Sequence, residues 1–253
     1  MKLCVPIPCF FPSASSEEVC AAIRAVADLG YDTVELYDWR MLKPDDVRDV
    51  LIETGVELRS ILVPENRLTA PACRELWLSS LQMTCEAAVR LGVKHAITQV
   101  GNDTGAPRAQ QHDVIVQTLR AAKPILEYYG VTVMPEPLNV KVNHPGYYLT
   151  KAEEAFDVVR EVDSPYVKVI YDIYHQQITE GDIIPTVTAN LDCIAHLHAA
   201  GHPGRHELWE GELNYRYIFD VLDRVGYTGA CGLEYAPMGD PAESLRRARE
   251  LYG

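Results

Sequence analysis

Glu136, Asp172, His198 and Glu234 are the side chains of this chain best placed to do chemistry. Each stands where a short apolar run gives out, after VTVMP, VKVIY, IAHL and ACGL. Three carboxylates and one imidazole make a hard, oxygen-rich donor set. It suits a divalent cation, Mn²⁺ or Mg²⁺ first, with Co²⁺ or Zn²⁺ also compatible. In IAHLHAAG, His196 and His198 alternate along an apolar run, the pattern of a strand with both imidazoles on one face. His198 is then the nitrogen ligand, and the loop from Gly201 to Glu207 closes over a substrate. His196 reads equally as a hydrogen-bonded core histidine.

Four such residues can meet only if four strands end at one level. The chain supplies the rhythm for that. KLCVPIPCF precedes SSEEVCAAIRAVADLG, DTVELYDW precedes KPDDVRDVLIETG, and VELRSILVP precedes PACRELWLSSLQMTCEAAVRLG. KHAITQVGN then leads to a helix in which Pro124 is expected to make a kink or break. VTVMPEPLN precedes TKAEEAFDVVREVD, and YVKVIYDIYH precedes a helix around IIPTVTANLDCI. IAHLHAAG and GACGLEYAP open the last two units. Several helices close on glycine, and others open on Ser, Asp or Asn, the usual terminal signals. Eight strand–helix units predict a (β/α)8 TIM barrel, one domain over residues 1–253, with its chemistry at the C-terminal ends of the strands. A doubly wound dinucleotide fold is disfavoured, because the first turn, CFFPSAS, has no glycine.

Composition narrows the partners. The formal net charge is −13, which opposes binding to nucleic acid or an anionic membrane. No apolar run approaches the roughly 20 residues needed to span a bilayer. The start reads as a first strand and not as a signal peptide. The 7 cysteines are odd in number, scattered and without a CxxC pair, which points to reduced thiols and a cytoplasmic protein. The implied partner is a small molecule. The sequence is compatible with a homo-oligomer.

Taken singly, each candidate has a plainer reading. A strand-end Glu often serves a loop salt bridge, Tyr147, Tyr148 and Tyr174 suit barrel packing, and Glu153, Glu154 and Asp157 suit a solvated helix face. What sets the four ligands apart is their coincidence at one layer. From Glu136 onward the chain also resembles a known family. EPLNVKVNHPGYYLT, YDIYHQQITEGDI, HPGRHELWEGELNY and GYTGACGLEY look like successive segments of the hydroxypyruvate isomerases, members of the xylose-isomerase-like barrels. Before Glu136 the likeness is one of architecture only. The resemblance implies that Glu136 and Glu234 are both metal ligands and the proton-carrying pair, and that Asp172 is a ligand. It implies that His175 and Arg205 bind substrate oxygens and that Glu207 shapes the loop. Two positions depart from it. Residue 198 is His, as in the related ketose 3-epimerases, where the isomerases commonly carry Gln. Leu208, Trp209 and Glu210 replace a Pro-Gly-x turn, and Trp209 suits stacking on a substrate larger than three carbons.

The chemistry that follows is enolisation of a hydroxycarbonyl compound or ketose. The cation acts as a Lewis acid while one carboxylate removes a C–H proton and another returns it. Return to the neighbouring carbon is isomerisation, and return to the other face of the same carbon is epimerisation. Loss of a β-substituent makes the enzyme a keto-sugar lyase or dehydratase. The leading reading is a metal-dependent isomerase of the hydroxypyruvate isomerase kind, with the epimerase or lyase as its alternative. A non-catalytic sugar-binding barrel is a further reading. A repair nuclease would need a richer histidine cluster and a basic groove.

Overall fold

In a computed structural model describing residues 1–252, eight parallel strands alternate with helices around a nearly closed barrel. The strands are β1 (Lys2–Pro6), β2 (Thr33–Glu35), β3 (Glu57–Leu62), β4 (His95–Thr98), β5 (Thr132–Pro135), β6 (Val169–Asp172), β7 (Ile194–Ala199) and β8 (Ala230–Leu233). Pairing runs β5-β4-β3-β2-β1-β8-β7-β6, so the first and last strands meet, with Lys2, Leu3 and Cys4 beside Ala230, Cys231 and Gly232. Between β5 and β6 the ladder thins to the single bridge Val133–Val167, flanked by the backbone bonds Val133 N–H to Tyr166 and Lys168 N–H to Val133.

Local sequence explains the elements. Ser15 and Glu18 cap the helix Ser16–Asp28 reciprocally. The helices Arg74–Leu91 and Arg108–Tyr129 end on Gly92 and Gly130, both in the left-handed conformation. That second helix is not broken at Pro124, one of the two outcomes expected there, and continues through the proline. Thr118, Leu119 and Ala122 before the proline and Leu126 after it are all buried. Packing of that face on both sides offsets the lost donor. The strands are also shorter than their apolar runs. Ile7–Phe10 and Ile173–Thr179 are helical turns where the sequence pattern continues the strand.

Two apolar clusters divide the interior. The main core lies between sheet and helices and includes Val5, Val34, Val133 and Phe156. Ile97, Met134 and Ile170 form a separate group with Leu62 and Ala195. Met134 and Ile170 lie two residues before Glu136 and Asp172, so they share the inward face of their strands. The inside of the barrel is therefore apolar along β4 to β6. Glu35, His196 and His198, nearly or fully buried, make it polar along β2 and β7. Among the described residues no helix is long and apolar enough to cross a membrane.

Candidate active site

Strand ends bring Glu136, Asp172, His198 and Glu234 together, each offering one ligand atom within 4.8 Å of the others. Glu136 follows β5. Its N–H donates to Thr98 at 3.2 Å, and its carbonyl accepts from the Tyr147 hydroxyl at 2.9 Å, which fixes the backbone there. Asp172 ends β6 and caps the helix that follows. Its Oδ1 accepts from Tyr174 N–H at 2.7 Å and His175 N–H at 3.2 Å. The cap uses one oxygen and leaves Oδ2, buried and with no hydrogen-bond partner, facing the cluster. Glu234 follows β8 and accepts from the Tyr37 hydroxyl at 2.6 Å.

His198 Nδ1 lies 3.6 Å from Glu136 and 3.4 Å from Glu234, without a hydrogen bond to either. Ligands about 2.0–2.2 Å from one cation stand a little over 3 Å apart, so these separations suit neighbours around an ion. Together with the unpartnered Asp172 Oδ2, they make the donor set fit a divalent metal.

Charge is distributed unevenly over the cluster. Burial raises the Glu136 carboxyl above its usual range and pushes Asp172 up to about 6. Burial acts on Glu234 in the same direction, but His198 and Arg205 outweigh it and hold this carboxyl well below the usual range. Arg205 comes from the loop after β7. Its guanidinium bonds to Glu234, stands 3.7 Å from Asp172 and lies over the Tyr174 ring at 5.2 Å. Arg205 is thus paired with the cluster and not with Glu207 or Glu210, the acidic residues next to it in the loop. Glu207 is buried and accepts from Met238 N–H and the Ser244 hydroxyl, anchoring the loop to the C-terminal helix Pro241–Tyr252. His206 bonds to the Ala236 carbonyl, and His202 faces Glu212 at 3.6 Å.

His175 is fully buried, and its Nδ1 accepts from Asn139, at 3.2 Å from the backbone N–H and 2.6 Å from the amide. That bond puts the proton on Nε2, which has no hydrogen-bond partner and lies 3.5 Å from Asp172 Oδ2. Burial pushes the ring's pKa down to about 3, so it is a neutral donor. Among the described residues, Trp209 makes no hydrogen bond or ion-pair contact with the cluster. It is half-buried, with the Arg247 guanidinium 4.2 Å over its ring.

Glu35, on β2, was not among the sequence candidates. It is fully buried and accepts from His196 Nε2 at 2.9 Å, His198 Nε2 at 3.1 Å and the Ser60 hydroxyl at 2.7 Å. Burial opposes its charge, yet the two imidazoles hold its carboxyl well below the ordinary value. A glutamate inside the apolar run TVELY was the available signal, since a buried charge needs partners. Tyr37 had no comparable signal. Gly232 makes room for the group, because a Cβ there would lie 2.3 Å from Glu35 Oε1 and 2.6 Å from the His198 ring. Gly232→Ala is therefore expected to cost about 1–3 kcal/mol and to weaken cation binding. An unchanged melting temperature and cation affinity would show that the barrel tolerates the methyl group.

Comparison with known proteins agrees with the barrel fold. The sequence profile of the family described as xylose isomerase-like TIM barrel matches residues 23–252. The chain is 38% identical over 140 residues to 2-oxo-tetronate isomerase of Cupriavidus necator, covering 55% of this chain and 54% of that protein. It is 36% identical over 165 residues to hydroxypyruvate isomerase of Escherichia coli, covering 63% and 64%. These alignments thus span about half to just under two thirds of the relatives' own lengths. A solved structure of an AP endonuclease, family 2, from Brucella melitensis superposes with a TM-score of 0.90 at 27% identity, over 97% of each chain.

Proposed function

We propose, from the premise that the chain belongs to the xylose isomerase-like TIM barrel family, that it is a metal-dependent isomerase of a small hydroxy-2-oxo acid. The observation that carries the reading is one constellation. Three carboxylates and His198 Nδ1 converge within 4.8 Å, and Arg205 and His175 reach the same cluster from the side. Hydroxypyruvate and 2-oxo-tetronate, the compounds in the relatives' names, each join a carboxylate to a ketone beside a hydroxyl-bearing carbon. Arg205 offers the planar fork a carboxylate needs, and His175 Nε2–H offers a neutral donor to a carbonyl or hydroxyl oxygen.

Glu136, Asp172, His198 and Glu234 would hold Mn²⁺ or Mg²⁺, which supplies Lewis-acid polarisation of the carbonyl when bound. The protein's own groups then move the proton. Glu234, held ionised, takes it from the hydroxyl-bearing carbon. Glu136, whose carboxyl is raised by burial, delivers a proton to the former carbonyl carbon. The hydroxyl proton passes to the former carbonyl oxygen, so that hydroxyl and carbonyl exchange places with no net change in protons. Arg205 and His175 keep the substrate in register between the two glutamates. Tyr37 orients the Glu234 carboxylate through the 2.6 Å bond. A single residue, His198, supports 3-epimerisation as the alternative outcome on this site, on the resemblance to the ketose 3-epimerases at that position.

The test is to incubate the Mn²⁺-loaded protein in D₂O with hydroxypyruvate, longer hydroxy-2-oxo acids and a panel of ketoses. Product carrying solvent deuterium at the carbon beside the carbonyl is the expected result. A protein that holds Mn²⁺ and labels none of them does not enolise these substrates.

Cation binding should depend on pH in a definite direction. The folded-state pKa of Asp172, about 6, lies above its unfolded value of about 3.9. A proton on this group therefore favours the fold, and that contribution fades as pH rises through 6. Burial lowers the affinity of His198 for its proton, but Glu35 and Glu234 outweigh it and raise the pKa well above the ordinary value. Both groups must lose a proton to serve as ligands. Mn²⁺ should therefore bind at least about tenfold more weakly at pH 5 than at pH 7. Its effect on the melting temperature should grow over the same range. Equal stabilisation at both values would remove Asp172 and His198 from the ligand set.

A further inference from the structure

We propose that Glu35 is a positioning residue that fixes the ring orientation and tautomer of His198, an inference resting on the metal reading above. The two nitrogens of an imidazole leave the ring in divergent directions, so an anchor on one decides where the other points. Glu35 Oε2 is 3.1 Å from His198 Nε2, a hydrogen-bond distance, whereas Nδ1 faces Glu136 and Glu234 at 3.4–3.6 Å with no hydrogen bond. With Nε2–H donated to Glu35, the Nδ1 lone pair is directed into the carboxylate cluster. Glu35 is itself held. His196 Nε2 takes its other oxygen at 2.9 Å, Ser60 adds a third donor, and Gly232 brings bare backbone against the carboxylate. This is why β7 carries two histidines on one face: one contacts the ligand cluster and the other holds the residue that aims it.

Glu35, His196 and His198 themselves form a second candidate ligand cluster. The 2.9 and 3.1 Å contacts are hydrogen bonds, and the carboxylate is so tightly enclosed that a Cβ at Gly232 would fall 2.3 Å from its Oε1. In this arrangement the group serves as the hydrogen-bonded support of His198.

The test uses Mn²⁺ alone, without substrate, on the full chain. Glu35→Gln keeps the shape but gives one acceptor oxygen to two histidines. It is expected to weaken Mn²⁺ binding ten- to a hundredfold by calorimetry, while circular dichroism of the metal-free protein stays unchanged. Glu35→Asp should recover part of that loss. In the Zn²⁺-loaded wild type, ¹⁵N-histidine NMR should show His198 protonated at Nε2 and ligated through Nδ1. A folded Glu35→Gln protein with affinity within twofold of wild type overturns the inference. If that variant does not fold, the wild-type spectrum decides, and His198 ligated through Nε2 overturns it. A wild-type protein that binds no Mn²⁺ removes the metal reading and this inference with it. Mn²⁺ binding that Glu35→Gln leaves intact removes the inference alone.

Discussion

Glu234→Gln and Glu136→Gln are each expected to lower kcat by about a hundred- to ten-thousandfold, the usual contribution of a positioned acid or base, with the fold retained. The exchange replaces an oxygen by an amide nitrogen of nearly the same size, so packing changes little. Tyr37 and Arg205 bond to different oxygens of Glu234, Oε1 and Oε2, so at position 234 the exchange leaves an acceptor oxygen for only one of them. An amide there also cannot take a proton from carbon. At position 136 it removes the carboxyl whose raised pKa suits proton delivery. Mn²⁺ content should be measured beside kcat, because each residue is also a proposed ligand. If a variant retains more than a tenth of wild-type kcat, that glutamate is not a proton carrier. If activity is lost but saturating Mn²⁺ restores it, the residue acts through the ion alone.

The barrel and the convergence of the four candidate ligands could be read from the sequence for the same physical reason. In a parallel barrel the strands are apolar runs, so a charged residue ending such a run marks the level where the sheet meets solvent. Glu136, Asp172, His198 and Glu234 all carry that mark. Glu35 does not, because it lies inside its run and is neutralised by residues some 160 positions away, His196 and His198. Spacing along the chain holds no information about that pairing. His196 was ambiguous for the same cause, since its role depends on an acid from β2. Asp172 shows another limit. Its run YVKVIYDIYH looks extended throughout, but the side chain caps a helix and ends the strand. Trp209 could be placed only by the fold, which sets it against Arg247. That the helix runs on through Pro124 is not legible locally, because the buried face on both sides of it packs on other elements.

Arg205→Lys is expected to raise KM for a hydroxy-2-oxo acid about tenfold or more, the worth of a lost charge-assisted hydrogen bond, and to leave Mn²⁺ content unchanged. Lysine keeps the positive charge near Glu234 and Asp172, so the electrostatics that the cation meets are preserved. What disappears is the planar fork and its stacking over Tyr174. The ammonium can contact one carboxylate oxygen but cannot present two parallel N–H groups. Position 205 is also constrained in its backbone, with φ at 60° and its own N–H and carbonyl bonded to Gly201 and Ala236. The side chain is therefore delivered to the cluster by the loop itself, and kcat should change less than KM. Arg205→Gln separates charge from shape. Removing a cation beside the carboxylates should tighten Mn²⁺ binding while KM rises at least as much as in the lysine variant. A lysine variant with unaltered KM would mean that Arg205 serves Glu234 and does not touch substrate. A glutamine variant with weakened Mn²⁺ binding would mean that the guanidinium holds the carboxylates in place for the ion.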